Sequence, residues 1–240
     1  MYISKYYNYC GLKNLNNREK WLKKTIESIP KGESILDAGA GELQYKKYCK
    51  NLKYTSQDFG QYKGEGKEGL QTGVWDNSKL DIISDIINIP SKDSSFDNIM
   101  CIEVLEHIPD PRLAIKEFSR ILKHRGKLII TAPFCSLTHF APYYYANGYS
   151  KYFYEKFLKE NNFSIQEISY NGNYFEYLAQ ELHRIISTGK KYSKINILVK
   201  PIIYLIIFPL LILLNYLSKN DKGSKEILCF GLHIVATKNQ

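Results

Sequence analysis

None of the five cysteines, Cys10, Cys49, Cys101, Cys135 and Cys229, is spaced from another as CxxC, and their number is odd. Neither a disulfide framework nor a zinc site is therefore expected, and no metal ligands are assigned. Thiols of this kind suit a reducing cytosol. Arginine-rich blocks are missing as well, and the formal net charge of +9 is spread along the chain as scattered lysines. Such a distribution suits acidic partners in general, and without a recognised binding motif beside it, it argues against nucleic acid. The opening MYISKYYNYCGLK is aromatic and polar and lacks the order of a signal peptide, so the expected location is cytoplasmic. No internal repeat or low-complexity linker divides the chain. Disorder is excluded by a hydrophobic content of 44% over 240 residues, enough for one medium core with an insertion.

Short apolar runs alternate with helical patterns. Residues 16–29 read as a helix with Asn16 or Asn17 as its cap, apolar positions Trp21, Leu22, Ile26 and Ile29, and PKG as its stop. Then come SILDAG (34–39), KYTSQD (53–58), LDIIS (80–84), FDNIMCI (96–102) and GKLIITA (126–132), each bounded by Gly, Pro, Asp or Asn. Runs so short and so apolar suit strands buried on both faces of a parallel sheet. Between the last two, Asp110 can cap and Pro111 can open a helix carrying Leu113, Ala114, Phe118, Ile121 and Leu122, with Lys123, His124 and Arg125 at its negative end. A strand, a helix and a strand in that order make a right-handed crossover, and the fold class expected is α/β, a doubly wound and mostly parallel seven-stranded sheet. A helix over 151–160 and strands at 163–170 and 226–238 complete it. Four regions follow: an N-terminal helical cap (1–33), the core (34–170), a helical apolar insertion (171–225) and a last core strand (226–240).

Ligands of such sheets bind at the carboxyl ends of the strands. LDAGAGELQ occupies the first turn there; Gly39 and Gly41 allow a tight turn and close backbone approach, and Asp58 ends the second strand, where a carboxylate can accept both ribose hydroxyls. Gln44 stands where a dinucleotide fingerprint has its third glycine, which weakens a pyrophosphate reading. Asp37, just before the glycines, suits a cationic ligand; a tight turn with no ligand is the plain alternative. The segments ILDAGAGELQY, YTSQDF and DIISDIINIPSKDSSFDNIMCIEVLEHIPDPRLAIKEFSRILKHRGKLIITAPF together resemble a class I S-adenosylmethionine-dependent methyltransferase, from about Ser34 to Phe134. SFDNIMCIEVLEHIPDP is the most distinctive stretch and is similar to methyltransferases of quinones, lipids and surface sugars. The resemblance implies S-adenosyl-L-methionine as cofactor, with Asp37, Gly39 and Gly41 around its methionine end, Asp58 on the ribose, Asp85 and Ile86 at the adenine and Glu103 lining the pocket. Leu43 departs from it, standing where many members have a third glycine.

Methyl transfer from a sulfonium is an in-line displacement, and a hydroxyl acceptor gains from a base titrating near working pH. His139, in the loop after the fifth strand, is the expected base and His107, in LEHIP, the expected substrate contact; a structural role bonded to backbone is the alternative for both. Tyr143, Tyr144, Tyr145, Tyr149, Tyr152 and Tyr154 crowd the same loop and offer flat faces for sugar rings or a bilayer interface. Its pattern, with the following GNYFEYLAQEL, resembles methyltransferases of bacterial surface-polysaccharide assembly, which implies a small-molecule or lipid-linked glycan acceptor. A quinone or lipid O-methyltransferase and a non-catalytic membrane adaptor are the competing readings.

Residues 201–218 carry no charge, yet a straight helix of that length reaches only about 27 Å against a hydrocarbon core of about 30 Å. Lys190, Lys191, Lys194 and Lys200 precede the run and Lys219, Lys222 and Lys225 follow it, so both ends belong on the positive, cytoplasmic side. With Pro209 favouring a bend, the segment reads as a hairpin dipping into one leaflet, placing the chain peripherally on the inner membrane face. Helices buried in the fold or at a homodimer interface are the alternative.

Overall fold

The computed structural model describes residues 9–64, 66, 68–70, 73–193 and 200–240; Lys194 and residues 1–8 of the opening segment lie outside the described residues. Helix α1 (Asn14–Glu27) is followed by β1 (Ser34–Ala38), β2 (Lys53–Asp58), β3 (Ile82–Ile83), β4 (Phe96–Ile102), α2 (Pro111–Ile121) and β5 (Leu122–Pro133). Then come α3 (Lys151–Glu160), β6 (Phe163–Asn171), α4 (Tyr174–Tyr192), α5 (Lys200–Lys219) and β7 (Gly231–Lys238). The seven strands form one sheet in the order β3-β2-β1-β4-β5-β7-β6. Strands β1 to β5 run parallel along it, and β7 enters antiparallel to β5, with Ile130 opposite Ile234. Two compact units result, one of residues Lys20–Ser169 with Gly231–Gln240, the other of the described residues up to Glu19 with Tyr170–Phe230.

The sheet unit forms as its apolar runs require. Ile35, Leu36 and Ala38 of β1, Ile99 to Cys101 of β4 and Leu128 to Ile130 of β5 are buried on both faces, as strands must be when helices cover each side. Leu22, Ile26 and Ile29 pack against Ile35, Met100 and Ile129, and Trp21 stacks on His233 of β7 with ring centroids 4.7 Å apart. Asp110 caps α2 by accepting from the Arg112 amide, and Pro111 takes the first turn, where its missing N–H costs nothing.

Several boundaries differ from expectation. Helix α1 starts at Asn14, ahead of the expected caps. Helix α2 stops at Ile121, and Lys123, His124 and Arg125 belong to β5 rather than to a helix end. The cause is long-range: Leu122 pairs with Phe96 while Lys127 pairs with Asn98, so 123–126 bulge between two fixed rungs, and Arg125 turns through φ 60°. Strand β3 is reduced to two residues. Strand β7 begins at Gly231, after a single helical turn at Ser224–Glu226, and lies between β5 and β6.

In the other unit, α4 and α5 form an antiparallel pair. Asn173 caps α4 by accepting from the Glu176 amide, and its Nδ2 donates to the carbonyl and hydroxyl oxygens of Ser218 near the end of α5. Leu178, Leu182 and Ile185 face Leu210, Leu213 and Leu214 across one apolar slot. The expected hairpin within 200–219 is not formed. Helix α5 runs 20 residues through Pro209 without ending, and the hairpin is the one α4 makes with it. Nor is α5 buried in the fold: Leu205 is 77% exposed, Phe208 66% and Tyr216 64%.

Candidate active site

The turn after β1 is shaped by backbone positions that side chains resist. Gly39 and Gly41 take φ of 80° and 49°, in the left-handed region that glycine enters freely. A Cβ on Gly39 would meet Val104 at 2.4 Å, and one on Gly41 would meet the Trp75 ring at 2.2 Å. The Gly39 and Ala40 amides donate to the Gln57 carbonyl at 2.8 and 2.9 Å, tying the turn to the end of β2. Asp58 accepts from the Gly41 amide at 3.0 Å through one oxygen and from the Gly60 amide at 2.9 Å through the other. Its carboxylate is thus already aimed across the turn. Leu43 also lies in the left-handed region, at φ 61°, so the backbone keeps the shape of a glycine where the side chain is leucine.

Asp37 is buried at the end of β1 and accepts from the Tyr54 hydroxyl at 2.7 Å. Burial raises its carboxyl to about 7; the Tyr54 hydrogen bond opposes this and the nearby Asp58 adds to it. Ile86 is buried after β3, while Asp85 is exposed and accepts from the Ile87 amide at 3.1 Å, closing its own turn. Glu103 follows β4 at φ 55° and accepts from the Thr131 hydroxyl at 2.8 Å.

His107 and His139 meet edge to face with ring centroids 4.6 Å apart. The His107 Nδ1 lies 2.6 Å from the Tyr143 carbonyl and the His139 Nδ1 lies 2.8 Å from the Leu137 carbonyl. A carbonyl only accepts, so each Nδ1 carries the proton, and in a neutral ring Nε2 offers its lone pair. Burial first, then the neighbouring His139, hold His107 down to about 4, so it is neutral at physiological pH. Between the two Nε2 atoms stands the buried Glu106 carboxylate, 3.7 Å from His107 and 3.9 Å from His139.

Glu106 was not singled out in the sequence, nor were the aromatics of the long β2–β3 connection. Tyr62 stacks on Phe140 at 4.3 Å, and Trp75 meets both edge-on while lying on Gly41. The Asp76 amide also donates to Glu42 at 3.2 Å. The loop tyrosines divide: Tyr154 is fully buried, the Tyr144 hydroxyl donates to the Ser136 carbonyl, and Tyr145 and Tyr152 are exposed. Glu106 had one available sign, its place beside His107 at the carboxyl end of a strand.

Residues 36–130 match the methyltransferase domain family. The ubiquinone biosynthesis O-methyltransferase of Xanthomonas oryzae is 35% identical over 63 residues, 26% of this chain and 26% of that protein; the chain spans about a quarter or less of the curated relatives it matches. Among solved structures, the phosphoethanolamine N-methyltransferase 2 of Haemonchus contortus, in complex with S-adenosyl-L-methionine, superposes with a TM-score of 0.54 at 18% identity, covering 93% of this chain and 53% of that one. The [4+2]-cyclase SpnF matches equally well, with a TM-score of 0.54 at 15% identity over 91% of this chain and 80% of that one. The fold is that of the Rossmann-like methyltransferases, with one apolar helix ahead of the last strand.

Proposed function

We propose that the chain is an S-adenosylmethionine-dependent methyltransferase that transfers a methyl group to a hydroxyl of a lipid-linked sugar or related glycan precursor at the inner membrane face. The observation that carries the transferase reading is the convergence at one sheet edge of the glycine turn, the pre-aimed Asp58 carboxylate and two imidazoles, each bonded to backbone through Nδ1. The residues fit the cofactor: Gly39 and Gly41 permit the tight turn packed on Val104 and Trp75, Asp58 holds the ribose, and Asp85 with Ile86 borders the adenine. Asp37 gives the cationic methionine end a counter-charge, and Glu103 lines the pocket beside it. When bound, S-adenosylmethionine supplies an electrophilic methyl on sulfur. The protein then aligns the acceptor oxygen in line with it and excludes water. His139 Nε2 takes the hydroxyl proton while His107 orients the acceptor, both rings fixed by their Nδ1–H bonds to backbone.

The membrane part rests on α5. Its outward side chains are apolar over most of its circumference and exposed, and the described lysines Lys190 and Lys191 on α4 and Lys219, Lys222 and Lys225 beyond it supply cationic flanks for an anionic surface. The 63-residue match to quinone O-methyltransferases favours a second reading, in which the acceptor is a lipid phenol with no sugar. Liposome flotation of the intact protein and of a form with 200–219 replaced by a Gly/Ser linker, with S-adenosylhomocysteine binding measured on both, tests the proposal. Flotation of the intact form alone, with ligand heat from both, is the expected result. Flotation of neither form overturns the membrane part, and absence of ligand heat overturns the transferase part in favour of an adaptor.

A further inference from the structure

We infer that Glu106, His107 and His139 form a binding site for a first-row divalent cation. It rests on the transferase reading only for what the cation would do, which is to hold and acidify the acceptor hydroxyl in place of the His139 lone pair it then occupies; the binding site itself stands on geometry.

Three ligand-type atoms, Glu106 Oε1, His107 Nε2 and His139 Nε2, lie within 4.8 Å of one another. The carboxylate-to-imidazole gaps of 3.7 and 3.9 Å are too long for direct hydrogen bonds. They are close to what an ion between the groups requires. With bonds of about 2.0–2.1 Å, tetrahedral neighbours sit about 3.4 Å apart, so each carboxylate-to-imidazole gap closes by a few tenths of an ångström, and the two rings, within 4.8 Å of each other, draw together by up to about 1.4 Å. The His139 ring, 22% exposed on its loop, has room for that movement.

The supports around the three groups are those a metal site needs. A ligating imidazole ordinarily donates its other N–H to a carbonyl or carboxylate, which fixes the tautomer and aims the lone pair. Both rings do this, to Tyr143 and Leu137. The Glu106 carbonyl accepts from the Tyr145 and Ala146 amides at 3.0 and 3.2 Å, lacing the loop that carries His139 to the turn that carries the other two ligands. Leu70 bridges the same loop from outside, donating to the Thr138 carbonyl and accepting from the Phe140 amide. Glu106 is 1% exposed, so its carboxylate is held by packing in one place beside the two rings. Two imidazoles with one carboxylate select zinc, iron, cobalt or manganese over magnesium and calcium, which prefer all-oxygen sets. Three protein ligands leave further positions open for water or an acceptor hydroxyl.

The test is titration of chelator-treated, full-length protein with cobalt(II) chloride, followed by its visible d–d absorption and by competition with zinc chloride. Expected are a saturable spectrum at one cobalt per chain, bleached by zinc, and a loss of affinity of roughly tenfold or more in His139→Ala and in Glu106→Gln. His124→Ala, which alters an exposed histidine on β5, leaves the titration unchanged. No d–d spectrum in the unaltered protein, or one that His139→Ala does not weaken, overturns the site. His139→Ala decides the outcome even where changes at the buried Glu106 unfold the chain, with thermal melting as the control. S-adenosylhomocysteine calorimetry on the same samples separates the two claims: ligand heat without cobalt uptake removes the cation site alone, and cobalt uptake without ligand heat removes the transferase reading alone.

Discussion

The sheet unit and the α4–α5 pair are built from the same kinds of side chain and dispose of them in opposite ways. In the sheet, Leu36, Ile99 and Ile129 are wholly buried, each strand covered by neighbours on both faces. On α5, Leu205, Ile206 and Phe208 stand mostly exposed, and among its described side chains only Ile207 is buried. Hydropathy is high in both places. A strand in the middle of a sheet has its apolar surface consumed by the fold itself, whereas a helix touching one neighbour satisfies a single stripe and leaves the rest of its circumference for something outside the chain.

The contrast is sharpest in stability. Ile129→Ala removes fully packed atoms and is expected to cost about 2–5 kcal/mol; Leu205→Ala removes atoms that touch little protein and is expected to change stability by under about 0.5 kcal/mol. Urea unfolding of the two variants measures both, and a large loss at Leu205 would mean that α5 is covered by this chain after all. An effect of similar order lies in pH, at the sheet's own buried charge. Because burial raises Asp37 to about 7, the folded chain keeps a proton there that the unfolded chain has lost above about 4, so the group's contribution to stability declines as pH rises from about 4 to about 7. The cationic end of S-adenosylhomocysteine prefers the ionised carboxylate, so calorimetry between pH 6 and 8 should show tighter binding as pH rises, by up to about tenfold per unit below 7, with proton release. Asp37→Asn should flatten that profile. Smallest is the strain at Leu43, held at φ 61°: left-handed backbone costs a non-glycine about 1–2 kcal/mol, and losing the half-buried side chain offsets part of the relief. Leu43→Gly is therefore expected to shift stability by under about 1 kcal/mol in thermal melts, unlike a core truncation.

The same contrast explains what could be read in the sequence. Strands β2 and β4 and helix α3 have their expected bounds, and β1 ends one residue early, because local pattern and tertiary need coincide there: apolar runs bounded by turn residues can do little else. The turn glycines, Asp58 and the two histidines follow from position along such strands. The end of α2 could not be read, since a pairing of Phe96 with Leu122 across the sheet overrode a good helical stripe. Nor could the continuity of α5, because the removal of one hydrogen bond by Pro209 does not determine whether the helix ends. Glu106 and Trp75 acquire their places only when the loops 134–149 and 59–81 fold back over the sheet edge, and no local periodicity encodes that.

The position of β7 bears on the order in which the chain comes into being. A ribosome delivers residues 200–219 before residues 231–238, so the apolar helix is already synthesised while β5 still shows a bare edge and β6 has no neighbour to join it to the sheet. Strand β7, which lies between β5 and β6, is thus made after both of its neighbours and after α5.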